Sequence, residues 1–363
     1  MNRAVVITGA GGLVGAELTA ALLPRFDIVL SLSRGEPDLP RLRAAVAAAR
    51  PSAAGDPAPD GSDPLDRLRA LPVSGLTPQA LAALGVGEVA QVWNVAAELS
   101  YDNALLQATM EANAAAPLRL LDLCRPTEGF FQFSTVGVTG PGRRGLRRTV
   151  PEEPLWEVDA VNPYVASKLL AEHLLTSRGE WTGIRTSCLR IGSVLGPRHR
   201  APARRNRAGY FALAEMAARA LRGGRPLSLD IDPDATPPLV HVEELAAACA
   251  ALSDRAAAGG SLGTYYHLGD QSLSNRDAIT AVNTELGSET LRIGPHTTPL
   301  DRAHATVNGD NLAFMDCGFR FDRAVLESQL PPTALPGVDA ASFAGFMGRE
   351  IRAVGARTLR RAA

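Results

Sequence analysis

The tightest constraint on this chain's fold lies at its start, in RAVVITGAGGLVG, residues 3–15. RAVVIT is a short, β-branched apolar run that ends in glycines, and it predicts a strand buried on both faces, as in a parallel sheet. LVGAELTAALL (13–23) carries helical spacing and stops at Pro24. Between them, Thr8 to Gly15 reads TGAGGLVG and fits T-G-x-x-G-x-x-G. Gly9 permits the tight turn, Gly12 lets the backbone approach a pyrophosphate, and Gly15 lets helix and strand pack closely. The helix N-terminus adds N–H donors and positive potential for phosphate. A lone glycine pattern can be a structural turn. Placed between a strand and a helix, this one is read as a dinucleotide site, with Thr8, Gly9, Gly11, Gly12, Leu13 and Gly15 as its contacts.

The rest of the chain repeats the alternation. Strands are expected in residues 26–33, 87–97, 129–135 and 184–192, with helices across 103–124 and 163–177. Strands alternating with helices of this length predict an α/β fold, a Rossmann-type doubly wound parallel sheet. Residues 35–72 break the rhythm with a long insert rich in Pro, Ala, Gly and Asp. Within it LPRLRAAVAAAR predicts a helix, while 51–64 reads as mobile. After residue 196 the alternation fades, although TYYHLG (264–269) reads as another strand. The expected division is a cofactor-binding domain of residues 1–195 and 236–264. Residues 196–235 and 265–363 are expected to form a smaller, interleaved C-terminal cap that binds substrate.

Charge and composition narrow the function classes. A formal net charge of −1 gives no global field toward nucleic acid or an anionic membrane. No apolar run reaches the ~20 residues of a membrane helix. The N-terminus, MNRAVVITGAGG, has no signal-peptide core, so a cytoplasmic location is expected. Cys124, Cys188, Cys249 and Cys317 are far apart and read as buried, reduced thiols. The six histidines lack metal-ligand spacing, so no metal is expected, and His241 and His267 read as structural. Two arginine-rich loops, Arg143 to Arg148 and Arg198 to Arg207, are either solvated or face a phosphate or an acidic partner.

The end of the second strand bears on the cofactor. A NAD site usually places an acid there for the ribose 2′-hydroxyl. This strand ends Ser33-Arg34, with no acid before Glu36. Arg34 can hold a 2′-phosphate with two hydrogen bonds, which favours NADP(H) over NAD(H).

Lys168 is the one lysine among 37 Lys and Arg residues, and it stands four residues after Tyr164 in NPYVASKLLAEH. Asn162 can cap a helix and Pro163 suits its first turn. Tyr164 and Lys168 then share one helix face. An adjacent ammonium is expected to favour the phenolate and bring the tyrosine within range of acid–base work. A compact ammonium can also reach a ribose where a planar guanidinium does not fit. The plainer reading is a surface lysine beside a half-buried tyrosine.

TGAGGLVG, NVAA (94–97), FSTVGVTG (133–140) and YVASK (164–168) occur in the order of the landmarks of the extended short-chain dehydrogenase/reductase superfamily. The chain resembles that superfamily from residue 1 to about 270. The resemblance implies a catalytic Tyr164–Lys168 pair, with Lys168 also touching the cofactor, and a Ser/Thr after the fifth strand, here Thr135. It also implies an Asn in the preceding helix, best matched by Asn113, that helps order a water near Lys168. Leu76 and Ala96 join Ser33 and Arg34 as implied cofactor contacts. LVHVEELA (239–246) is similar to a late segment of extended members.

Arg34, the insert with Arg41-Leu42, FSTVGV, GYFALAEMA and FRFDRAVLESQLP resemble the thioester reductase and fatty acyl-CoA reductase branch more than the sugar-nucleotide epimerases. Two segments depart from the superfamily's pattern. The usual GDL reads Ser74-Gly75-Leu76, and the RPG-like segment reads RIGS, Arg190 to Ser193. The expected function is an NADPH-dependent reductase of a carbonyl, either a thioester or the aldehyde made from it. Tyr164 is its proton donor, and the substrate is a small molecule or an acyl group on CoA or a carrier protein. A nucleotide-sugar epimerase or dehydratase, a ketone reductase and a non-catalytic dinucleotide-binding regulator stand as alternatives.

Overall fold

The computed structural model describes residues 2–50, 63–140, 142, 147–156, 160–202 and 208–362. Its centre is a sheet of seven parallel strands: β1 (Arg3–Thr8), β2 (Ile28–Ser33), β3 (Leu68–Pro72), β4 (Glu88–Asn94), β5 (Gly129–Thr135), β6 (Thr186–Ile191) and β7 (Tyr265–Leu268). Their spatial order is β3-β2-β1-β4-β5-β6-β7. Ala4, Val5, Val6 and Ile7 of β1 are wholly buried, as a strand covered on both faces requires. Chain direction across the sheet reverses between β1 and β4, which opens a crevice beyond their C-terminal ends.

The helices follow the expected crossovers. They are α1 (Leu13–Leu22), α2 (Leu39–Ala49), α3 (Pro78–Ala83), α4 (Leu106–Met110), α5 (Ala116–Cys124) and α6 (Pro163–Thr182). A π-helical turn, Glu111–Ala115, joins α4 to α5. Beneath them, Trp93 of β4 stacks on Phe131 of β5 with ring centroids 4.0 Å apart. α6 runs five residues past the expected end and stops at Gly183, whose φ is +73°.

The stretch 35–72 carries the expected helix and, beyond it, a strand that was not expected. It holds α2 and then β3, which pairs with β2 from Val29↔Leu68 to Ser33↔Pro72. β3 escaped detection because LRALP is short, half-buried and closed by a proline, as suits an edge strand. Most of the segment expected to be mobile, residues 51–62, lies outside the described residues.

The cap combines α7 (Tyr210–Gly223), α9 (Asn275–Leu286), α10 (Pro299–Met315) and α12 (Ala340–Ala362), with Phe211 and Phe346 edge-to-face at 5.2 Å. α8 (Val242–Ala257) lies against α1, and α11 (Ala324–Gln329) carries Leu326 into the core under the sheet. Two-stranded ribbons pair Leu227–Leu229 with Leu291–Ile293, and Arg148–Val150 with Phe319–Phe321. These pairings interleave distant segments. The boundary expected at 264/265 needs correction, because β7 pairs with β6 inside the central sheet. The sheet therefore extends to Leu268, and α11 packs with it too.

The first turn is fixed by contact. Gly9 has φ +72°, and a Cβ on Gly15 would sit 2.0 Å from the Gly9 carbonyl oxygen. Gly15→Ala must push α1 away from its own loop. Overpacking of this kind costs about 1–3 kcal/mol. A lower denaturation midpoint together with weaker dinucleotide binding is the expected result, and a wild-type value for both would refute the close approach.

Candidate active site

A cleft of about 1490 Å³ runs over the C-terminal ends of the strands, from the glycine loop to the cap. Thr8, Gly9, Gly11, Gly12, Leu13, Gly15, Ser33, Arg34, Leu76, Ala96, Thr135, Tyr164 and Lys168 all line it. Asn113 stands one layer behind.

At the glycine loop, the Gly12 N–H donates to Gly9 O at 2.9 Å, and Gly12 then begins α1 with no side-chain cap. The first-turn N–H groups therefore face the cleft without a side chain to satisfy them, which is the cradle a pyrophosphate fits. Thr8 acts as a strut. Its hydroxyl donates to Asn94 Oδ1 at 2.7 Å and accepts the Ala96 N–H at 3.0 Å. Leu13, almost fully buried, packs into the cap core.

At the end of β2, the Ser33 hydroxyl donates to Gly35 O at 2.5 Å. The Arg34 side chain is 89% exposed and pairs with Glu98 at 3.0 Å. An exposed pair of this kind holds its partners weakly. Arg41, in the first turn of α2, lines the same end of the cleft. Leu76 follows a short 3₁₀ turn and is buried, so SGL offers an apolar wall where an aspartate was the family's pattern.

In the middle of the cleft, Asn162 caps α6 by accepting the Val165 N–H at 2.9 Å, and Pro163 is the first helical residue. Tyr164 and Lys168 rise one turn apart, with Lys168 Nζ 6.0 Å from the centre of the tyrosine ring. Lys168 is only 1% exposed, and its Nζ donates to Phe133 O at 2.7 Å. Thr135 accepts the Gly137 N–H at 3.1 Å and shares a hydrogen bond with the Tyr164 hydroxyl.

Ionisation differs from the sequence expectation. Burial raises the Tyr164 phenol well above its ordinary value, and nearby Tyr101 adds to this against the opposing Thr135 bond. Lys168 is not among the groups that lower it, and its Nζ stands 6.0 Å from the centre of the ring, on Phe133 O. The tyrosine is held as the protonated acid, the form a proton donor needs. Burial also lowers the Lys168 ammonium to about 8, against the opposing pull of Glu172.

Asn113 sits wholly buried in the π-helical turn. Its Oδ1 accepts the Glu98 N–H at 2.8 Å. Its Nδ2 donates to Glu98 O and to Ser167 Oγ, both at 2.9 Å. Both amide hydrogens are spent, so this side chain clamps the loop after β4 to α6 and has no donor left for a water. In RIGS, Ile191, Gly192 and Ser193 line the cleft, while Arg190 does not and is buried against Glu172 of α6.

Sequence reasoning missed the far end of the cleft. Phe314, Cys317 and Phe321 line it, with Val136, Thr139 and Tyr210. Phe321 lies in a segment whose pattern stood out, but nothing local marks Phe314 or Cys317. Of the basic loops, Arg198 is bound to Glu244 and Arg200 to Glu17, so both tie the protein together internally. Arg143, Arg144 and residues 203–207 lie outside the described residues. His241 and His267 are buried, each with Nδ1 on a carbonyl oxygen at 2.7 Å, from Gly196 and Asp322 respectively. Cys124, Cys188, Cys249 and Cys317 are buried free thiols. Among the described residues no helix is long and apolar enough to cross a membrane.

A parallel sheet with this glycine loop and a tyrosine–lysine pair in the cleft beyond its strand ends defines a nicotinamide-dinucleotide-dependent enzyme. A sequence profile of the NAD dependent epimerase/dehydratase family matches residues 5–269. The chain belongs to that family, the extended short-chain dehydrogenases/reductases. It is similar in fold to the terminal R domain of the myxalamid PKS-NRPS pathway, at 21% identity and TM-score 0.72, over 97% of this chain and 91% of that one. It is also similar to UDP-glucuronic acid 4-epimerase from Bacillus cereus in complex with NAD, at 18% identity and TM-score 0.65, over 96% of each chain. A third similar structure is RMD from Pseudomonas aeruginosa with NADPH, at 19% identity and TM-score 0.61, over 97% of this chain and all of that one.

Lys168→Arg tests the compact ammonium. A guanidinium overfills a pocket that leaves lysine 1% exposed. Turnover is expected to fall about 10²-fold or more with the fold retained. In the wild type, turnover should decline as pH rises through about 8, where Lys168 loses its proton. A flat profile from pH 7 to about 10 would remove the lysine from the reaction.

Proposed function

We propose that this enzyme reduces the carbonyl of an apolar acyl substrate, a thioester or its derived aldehyde, with NADPH. The substrate end of the cleft carries this reading. Beyond Tyr164 its wall is Phe314, Cys317, Phe321 and Val136, with Thr139 as a polar group. The charged side chains lining the cleft, Lys168 apart, are Arg34, Asp38, Arg41, Glu98, Glu111 and Arg119 among the described residues. These belong to the segments after β2 and β4 and to the helices beside them. A nucleotide sugar brings a diphosphate that needs cations at the substrate end, whereas an acyl chain needs apolar contact.

The glycine loop, α1, Arg34, Arg41 and Leu76 would hold the cofactor. Arg34 and Arg41 are the groups suited to a 2′-phosphate. Bound there, the dinucleotide supplies a hydride to the carbonyl carbon. Tyr164, kept protonated by burial, gives its proton to the carbonyl oxygen, and Thr135 hydrogen-bonds that oxygen as charge develops on it. The Lys168 ammonium, held on Phe133 O one turn behind Tyr164, would contact the ribose of the bound cofactor. An aldehyde becomes an alcohol. A thioester gives an adduct whose C–S bond breaks, releasing a thiol and an aldehyde.

The family match supports a second reading, a nucleotide-sugar epimerase. An epimerase recycles its cofactor and shows no net consumption. Loss of NADPH absorbance with a panel of acyl-CoA, carrier-bound acyl, aldehyde and ketone substrates separates the readings. No consumption with any of them, together with turnover of a UDP-sugar, would favour the epimerase. Tyr164→Phe should lower turnover at least about 10²-fold and leave NADPH binding near wild type. Arg34→Ala combined with Arg41→Ala should raise KM for NADPH about tenfold or more while leaving KM for NADH nearly unchanged. Equal effects on both cofactors would rule out 2′-phosphate recognition.

A further inference from the structure

Three charged side chains lie almost without solvent behind the catalytic face. Lys168 is 1% exposed, Glu172 is 1% exposed and Arg190 is 0% exposed. Glu172 follows Lys168 by one helical turn on α6, so the two share a face. Arg190 reaches Glu172 from β6. Its Nε donates to both carboxylate oxygens at 3.2 and 3.1 Å, and its Nη2 to Oε2 at 2.8 Å. Ser134 of β5 donates to Oε1 at 2.5 Å. From β7, the Tyr265 ring lies 4.5 Å under the guanidinium, and His267 Nε2 is 3.4 Å from Arg190 Nη1.

A buried ion pair of this kind adds little net stability over an apolar pair of the same size. Its position suggests a different use. Resting on the reading of Lys168 given above, we propose that Glu172 and Arg190 are positioning residues that keep the Lys168 ammonium charged and aimed at the cleft. Glu172 is the counter-charge that lets a solvent-free lysine stay protonated. Arg190 and Ser134 take up the carboxylate's lone pairs, so it cannot swing forward and bind Lys168 Nζ directly. The ammonium is thereby left to Phe133 O and to the cleft. The other titratable groups around Lys168 are Tyr164 on its own helix, Cys188 from β6, and Tyr101 across the cleft from Tyr164. Cys188 has its thiol raised well above the ordinary range by burial, so it stays neutral. Burial also takes His267 down to about 4, so it is neutral in the working range. Glu172 is thus the anion that opposes the desolvation of Lys168.

Lys168 is the only lysine in the chain, so protein grown with isotope-labelled lysine gives one side-chain signal. Its NMR titration reads the ammonium's ionisation without any turnover. Wild-type protein should titrate near 8. The double variant Glu172→Gln/Arg190→Met removes both charges and avoids stranding one of them in the interior. Its lysine should titrate lower by about one unit or more, and that of Glu172→Gln alone lower still, because Arg190 then remains unneutralised. The alkaline limb of the rate profile should move by the same amount. A folded double variant whose lysine titrates as in the wild type overturns the proposal. A shifted lysine with an unmoved rate limb supports the pair's role and counts instead against Lys168 acting in the reaction.

Discussion

The site hangs on one chain of hydrogen bonds across the C-terminal ends of β1, β4 and β5. Thr8 bonds Asn94, Asn94 Nδ2 donates to Gln132 Oε1 at 2.8 Å, Gln132 Nε2 donates to Phe133 O at 2.9 Å, and that carbonyl holds Lys168. Thr8, Asn94, Gln132 and Lys168 are all buried. Such groups lose their full hydration on folding, so each is held to its partner by the cost of leaving it bare. The glycine loop that begins at Thr8 and the lysine on α6 are therefore linked through the sheet, and the cofactor's phosphate end is kept in register with its reactive end.

Around that chain the protein manages charge by burial. The tyrosine is kept protonated and the lysine is kept charged against its desolvation, in one small volume. Opposite treatment of neighbouring groups is what acid–base chemistry requires of a fold. Asn113 contributes through position alone. The π-helical turn carries it inward, where it locks the loop after β4 to the helix of the tyrosine. Turns of this kind interrupt a regular helix at some cost, and they recur at functional sites.

Much of this was legible in the sequence because it depends on neighbours in the chain. The glycine loop is local: a strand, a turn and a helix start within thirteen residues. The Tyr164–Lys168 pair is local too, because the helical repeat places residues four apart on one face. The place of Arg34 in the cleft was readable too, since it follows the end of a strand. Other features were hidden. Arg41 was marked only as part of the insert and not as a group facing the cleft, and β3 is short and half-buried. The Glu172–Arg190 pair joins residues 18 positions apart in sequence through two different elements. In an arginine-rich chain nothing singled Arg190 out.

The sequence by itself determined the class of fold, the dinucleotide loop and the tyrosine–lysine pair, since each follows from short-range backbone geometry and side-chain spacing. Tertiary structure alone decided the ionisation of that pair, the real work of Asn113 and Thr8, and the apolar end of the cleft. Ionisation depends on how much water and charge surround a group, and both are supplied by elements distant in sequence. Phe314, Cys317 and Phe321 reach the cleft because the cap folds back over the sheet, and spacing along the chain carries no trace of that return.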